Sequence, residues 1–152
     1  MRNTTEINDL AAQRLREAQI LYENEMYDGA YYLAGYSVEL KLKGKICDRL
    51  GIPNLYDDMD SITNSIKGIS DIRRSLKTHN LFTLLLFSGL KNKFDNEKAV
   101  NSEFAKASSL LFNAWDENVR YKPCGHIRDQ DVKTLINLLS HSNGLLRWIE
   151  LN

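Results

Sequence analysis

One stretch constrains this chain more than any other: Tyr27–Leu50, YDGAYYLAGYSVELKLKGKICDRL. Its apolar residues recur at three- and four-residue steps, the period of an α-helix, and predict a single helix of about six turns. Gly51 marks the end, because glycine accepts the left-handed conformation that follows a last turn, and Pro53 prevents resumption. Two stripes run along the stretch: Ala30, Leu33, Ala34, Ser37, Leu40 and Gly44 on one, and Tyr31, Gly35, Val38, Leu42 and Ile46 on the other. A helix with one apolar stripe covers a surface; a helix with two needs partners on two sides. Gly29, Ala30, Ala34, Gly35 and Ser37 would admit a second backbone at close range. Gly29, Gly35 and Gly44 each cost about 1 kcal/mol of helix propensity relative to alanine, so tight packing is the expected compensation. The stretch reads as the central helix of a bundle, with its second stripe available to another chain.

The remainder supplies the partners. Asn3, followed by Glu6, resembles a capping arrangement, and Ile7, Leu10, Ala11, Leu15, Ala18, Leu21 and Tyr22 form one stripe reaching about Asn24. The short break before Tyr27 predicts an antiparallel hairpin. Ser61–Ile72 holds a possible short helix with Ile62, Ile66 and Ile69 inward. Thr78 or Asn80 caps a helix ending near Gly89, in which Leu81, Phe82, Leu84, Leu85, Leu86 and Phe87 are apolar almost all round, so burial is expected. Lys91–Asn101 reads as a charged connection or as an early start of the next helix, whose stripe is Phe104, Ala107, Ser108, Leu111, Phe112 and Trp115, up to about Asn118. Pro123 and Gly125 break the pattern. A last helix begins at Asp129 or Asp131 and runs through Val132, Leu135, Ile136 and Leu139 to Ile149, with a bend at Gly144. No strand pattern competes. The fold class expected is all-α, an antiparallel bundle of about five helices, in one domain spanning residues 1–152.

Composition removes several functions. Lys+Arg and Asp+Glu both total 20, so any nucleic-acid binding needs a local basic patch rather than a global field. Cys47 and Cys124 lie far apart and suit reduced thiols better than a disulfide framework. His79, His126 and His141 lack ligand spacing, so neither a metal nor another cofactor is expected. The apolar runs are too short to span a membrane and the N-terminus is polar, so a cytoplasmic protein is expected.

The run YDGAYYLAGYSVELKLKGKI resembles the signature helix of HEPN domains, and Asp28, Ala30, Tyr32, Gly35, Tyr36, Glu39, Leu42 and Lys43 fall on that family's pattern. Two further pieces agree: KTHNLFTLL at Lys77–Leu85, and W-x-x-N-V-R-Y at Trp115–Tyr121 ahead of a final amphipathic helix. The resemblance spans about Leu10 to Ile149. It implies a small helical domain, a homodimer with a composite cleft, and metal-independent RNA cleavage of a toxin or defence type by an Arg followed four to six residues later by a His. It also implies, as an alternative, a non-catalytic nucleotide-binding module or the partner of a nucleotidyltransferase.

Three pairs fit that spacing: Arg73 with His79, Arg74 with His79, and Arg120 with His126. The resemblance favours Arg120 and His126, which follow the penultimate long helix. Imidazole can take or give the proton of a 2′-OH near neutral pH, and guanidinium grips phosphate without losing its charge. Lys122 and Arg128 would add charge in the same loop. Two positions depart from the family: Tyr121 stands where a small polar residue usually follows the Arg, and Arg128 stands where some members carry a modifiable Tyr. Glu39, set between apolar stripes, must be paired if buried, with Tyr36, Arg120 or a backbone group, or else must shape a nucleotide pocket. Tyr36 and its neighbours suit either core packing or base stacking, and His79 suits capping or a binding role. A third possibility is an interaction protein whose helical surface only mediates assembly.

Overall fold

The computed structural model describes residues 3–152, and every regular element among them is helical. Residues 1 and 2 lie outside the described residues. The elements are α1 (Thr4–Glu23), α2 (Tyr27–Leu50), the single turn α3 (Ser61–Asn64), α4 (Ile69–Leu76), α5 (Leu81–Phe87), α6 (Lys91–Val100), α7 (Ser102–Phe112), a 3₁₀ turn (Glu117–Tyr121), α8 (Asp129–Ser140) and α9 (Leu145–Leu151). The all-α expectation holds. The expectation of about five helices does not: the described residues form eight helices of seven residues or more, besides α3.

Local chemistry sets the first two boundaries where the sequence puts them. The Asn3 side chain accepts a hydrogen bond from the Glu6 N–H at 3.0 Å, satisfying one of the free donors of the first turn. Gly51 takes the left-handed conformation, φ 66°, and ends α2 at Leu50. Leu21 lies against Gly29 at one end of the pair and Asn8 against Gly44 at the other, so α1 and α2 run antiparallel.

Around α2 the chain closes on itself. Both stripes are buried apart from the partly buried Leu33, and the helix touches α1, α5, α8, α9 and the 3₁₀ turn. The second stripe therefore needs no second chain, because Trp115 and the later helices cover it. Cutting the second half of the molecule into short helices provides more faces than five long ones would.

Four local expectations change. In α5 only Leu81, Leu84 and Leu85 are buried; Phe82, Leu86 and Phe87 are about half exposed, since a two-turn helix offers the core one face. Ile69 is inward, but Ile62 and Ile66 are exposed, because α3 is a single turn pinned by Asp60. The helix α7 stops at Phe112 rather than near Asn118, with Asp116 capping the 3₁₀ turn through the Asn118 N–H at 2.8 Å. The last helix breaks instead of bending. A Cβ at Gly144 would lie 1.9 Å from the Leu138 carbonyl oxygen, so only glycine fits the turn between α8 and α9.

Candidate functional site

Asp28, Tyr32, Tyr36, Glu39 and Lys43 follow one another on α2 at steps of four, four, three and four, which places them along one side of the helix. Later elements bring His126, Arg120, Trp115 and His79 to that side.

His126 is held at the N-terminal end. Gly125, at φ 82°, turns the loop so that its N–H donates to Asp28 Oδ2 at 2.7 Å. His126 Nδ1 lies 2.9 Å from Asp28 Oδ1, out of line for a straight hydrogen bond, and the ring meets Tyr31 edge-on at 6.1 Å. The side chain is 14% exposed, and Nε2 is buried without a hydrogen-bond partner. Tyr31 is itself fixed: its hydroxyl donates to the Leu110 carbonyl at 2.5 Å, and burial pushes its pKa well up.

One turn further along, Arg120 reaches the Tyr32 hydroxyl at 3.4 Å and lies 4.9 Å from the centre of the Tyr121 ring. Its side chain is exposed, and no carboxylate among the described residues is paired with it. Tyr32 is stacked between Trp115, at 6.2 Å, and Tyr36, at 6.4 Å. Lys122 is exposed just beyond the 3₁₀ turn. Arg128 differs from Arg120: its Nε and Asp131 Oδ2 are 2.9 Å apart, so its charge is matched within the first turn of α8.

At the other end sits Glu39, 1% exposed. Its partners are neither Tyr36 nor Arg120. Lys43 Nζ donates to Oε1 at 2.6 Å, and His79 Nδ1 lies 3.0 Å from both carboxylate oxygens. The Lys43 ammonium also sits 5.6 Å from the ring centre of Tyr56, whose hydroxyl is buried without a partner. Burial, and then the Glu39 charge, raises the pKa of Tyr36; Arg14 opposes this from 6.0 Å above the ring. Arg14 is itself paired with Glu17.

The other two spacing matches separate in space. Arg73 is buried and donates to the Leu55 carbonyl at 2.6 Å, the Asp57 carbonyl at 2.7 Å and the Asn64 side chain, fastening the segment after α2. Arg74 is exposed beside Asp71, at 3.4 Å. These partners hold both arginines apart from His79, which faces Glu39. The cap of α5 is Asn80, accepting from the Thr83 N–H at 2.8 Å.

Sequence reasoning gave no site role to Asp28, Lys43 or Tyr56. Lys43 was the most accessible of the three, lying four residues after a mid-helix glutamate. A cavity of about 480 Å³ forms an open groove between the start of α7 and the α8–α9 turn, lined by Asn101, Lys106, Asn137 and His141, and contains none of these side chains. No group of three or more His, Cys, Asp or Glu side chains among the described residues is placed to hold a metal ion. No helix among them is long and apolar enough to cross a membrane. No protein-family model, curated protein or solved structure matches the chain.

Proposed function

We propose that this protein is a HEPN-like, metal-independent endoribonuclease of toxin or defence type, acting in the cytoplasm. The observation that carries this reading is Arg120, without a carboxylate partner, over the side of α2 whose ends hold the pairs His126–Asp28 and His79–Glu39. Arg120 would grip a phosphodiester through its planar fork. A histidine oriented by a carboxylate would take the proton from the 2′-OH. The O2′–P bond forms, the P–O5′ bond breaks, and the leaving 5′-oxygen takes a proton from the histidine or from water, giving a 2′,3′-cyclic phosphate and a 5′-hydroxyl. Lys122 would add non-specific phosphate attraction.

The test is cleavage of single-stranded RNA in the presence of EDTA, with the product ends identified. Activity that survives EDTA, ends in cyclic phosphate and is lost in Arg120→Ala supports the reading; activity unchanged in Arg120→Ala removes its central residue. The resemblance on α2 further suggests a homodimer with a composite cleft, which light scattering would reveal as a mass near twice 17.5 kDa.

A second reading is favoured by the buried Nε2 of His126, which has no free edge for proton transfer. There the protein is a non-catalytic nucleotide-binding module or the partner of a nucleotidyltransferase. Wild-type protein that cuts no RNA yet binds a labelled nucleotide through Arg120 would establish it.

A further inference from the structure

We infer that the histidine moving the proton is His79, with Glu39 as its positioning residue, and that His126 is a clasp; this rests on the ribonuclease reading above. The two histidine–carboxylate pairs differ in what they leave free. Both ring nitrogens of His126 are buried, and its Asp28 partner also takes the Gly125 N–H, so that pair fastens the loop after Arg120 to the first turn of α2. The His79 side chain is 51% exposed, whereas the carboxylate it faces is 1% exposed. A ring whose Nδ1 points inward at a buried carboxylate has Nε2 on its outward side.

Glu39 also fixes what that ring can do. With both oxygens 3.0 Å from Nδ1, the carboxylate accepts the Nδ1–H, which leaves the lone pair on Nε2. The bond from Lys43 to Oε1 holds the carboxylate in place. The assembly is a base with its orienting group. In the reaction, Nε2 of His79 takes the 2′-OH proton as O2′ attacks phosphorus, and returns a proton to the 5′-oxygen as the P–O5′ bond breaks. Tyr32 and Glu39 are seven residues apart, two turns or roughly 10 Å along α2. A strand lying across Tyr36 would meet the exposed Arg120 at one end and His79 at the other.

Asparagine separates chemistry from structure at these positions, because its amide N–H can replace Nδ1–H toward the carboxylate but carries no titrating nitrogen. On a labelled single-stranded RNA, His79→Asn is expected to melt like wild type and to lose at least about a hundredfold in kcat, the range for a missing acid–base group. His79→Ala should regain activity severalfold with added imidazole, which the exposed site has room to admit. His126→Asn should loosen the loop and raise KM more than it lowers kcat. Wild-type cleavage with equally active His79→Asn overturns this assignment alone. Wild type that does not cleave above background overturns the ribonuclease reading and this assignment together.

Discussion

The indole of Trp115 packs directly on the backbone of Gly35, so closely that a Cβ there would lie 2.2 Å from Nε1. The same indole N–H donates to the Tyr32 carbonyl at 3.2 Å, and its ring stacks on Tyr32. Gly35 is helical with ordinary φ, so what it supplies is room. That room lets the segment before Arg120 approach α2, and it sets where Arg120 can stand.

Gly35→Ala is therefore expected to destabilise the protein. Alanine gains about 1 kcal/mol of helix propensity, but the clash is with a buried indole rather than a movable side-chain end. A net loss of about 1–3 kcal/mol is expected, the usual scale of overpacking. Gly29→Ala meets only the tip of Leu21 at 3.1 Å and should be neutral or slightly stabilising. Urea titrations followed by tryptophan fluorescence would compare the two; equal effects would mean that Trp115 does not sit on Gly35 in solution.

A second contrast concerns the core. Leu40 and Leu84 are fully buried, and truncating either to alanine should cost about 2–5 kcal/mol. Arg16 and Glu23 are exposed on α1, and their alanine variants should stay within about 0.5 kcal/mol. On α5 the same distinction falls within two turns: Leu86→Ala, at a half-exposed position, should cost much less than Leu84→Ala. Comparable losses at Leu84 and Leu86 would mean that another surface covers α5.

How much of this was legible in the chain depends on the range of the cause. The ends of α1 and α2 follow from Asn3 and Gly51, whose side chain or conformation acts on the next few residues. Burial of Glu39 was readable from its apolar neighbours, and Lys43 from the four-residue step. His79 as the other partner was not, because it arrives 40 residues later through a linker of no periodic pattern. Asp28 and Gly125 are 97 residues apart, and only the turn at Gly125 brings His126 back. The exposed side of α5 was misjudged because an apolar composition does not say how many neighbours a two-turn helix can have. The break before Gly144 needed the Leu138 carbonyl, which periodicity cannot locate.

The two thiols give a pH test. Burial pushes the Cys47 thiol up to about 11, whereas Cys124 is exposed. A folded pKa above the unfolded one means that the unfolded chain releases its proton first. This contribution is intact below about pH 9 and is lost as pH rises toward about 11. Stability should therefore fall across that window, and Cys47→Ala should flatten the early part of the decline. Tyr31 and Tyr56, also raised by burial, act at the upper end. In native protein a thiol reagent should label Cys124 alone, with Cys47 reacting only after denaturant. Fast native labelling of Cys47 would contradict its burial.

The ion pair of Lys43 with Glu39 gives the last prediction, and its sign depends on which partner is removed. Both side chains are almost wholly buried, at 7% and 1% exposure, so neither can turn to water in place of the other. Lys43→Met keeps the length of the side chain but leaves Glu39 with His79 as its remaining hydrogen-bond partner. Breaking a buried pair in this way typically costs about 3–5 kcal/mol, mostly from the carboxylate left uncompensated. His79 offsets part of that, so a loss near the lower end is expected. Adding Glu39→Gln removes the stranded charge while keeping an oxygen for the Nδ1–H of His79. The double variant should therefore be more stable than Lys43→Met alone and should approach wild type. Urea midpoints for wild type, both single variants and the double variant complete the cycle. Additive losses would mean that the two groups do not meet in solution; recovery in the double variant would show that they are held together.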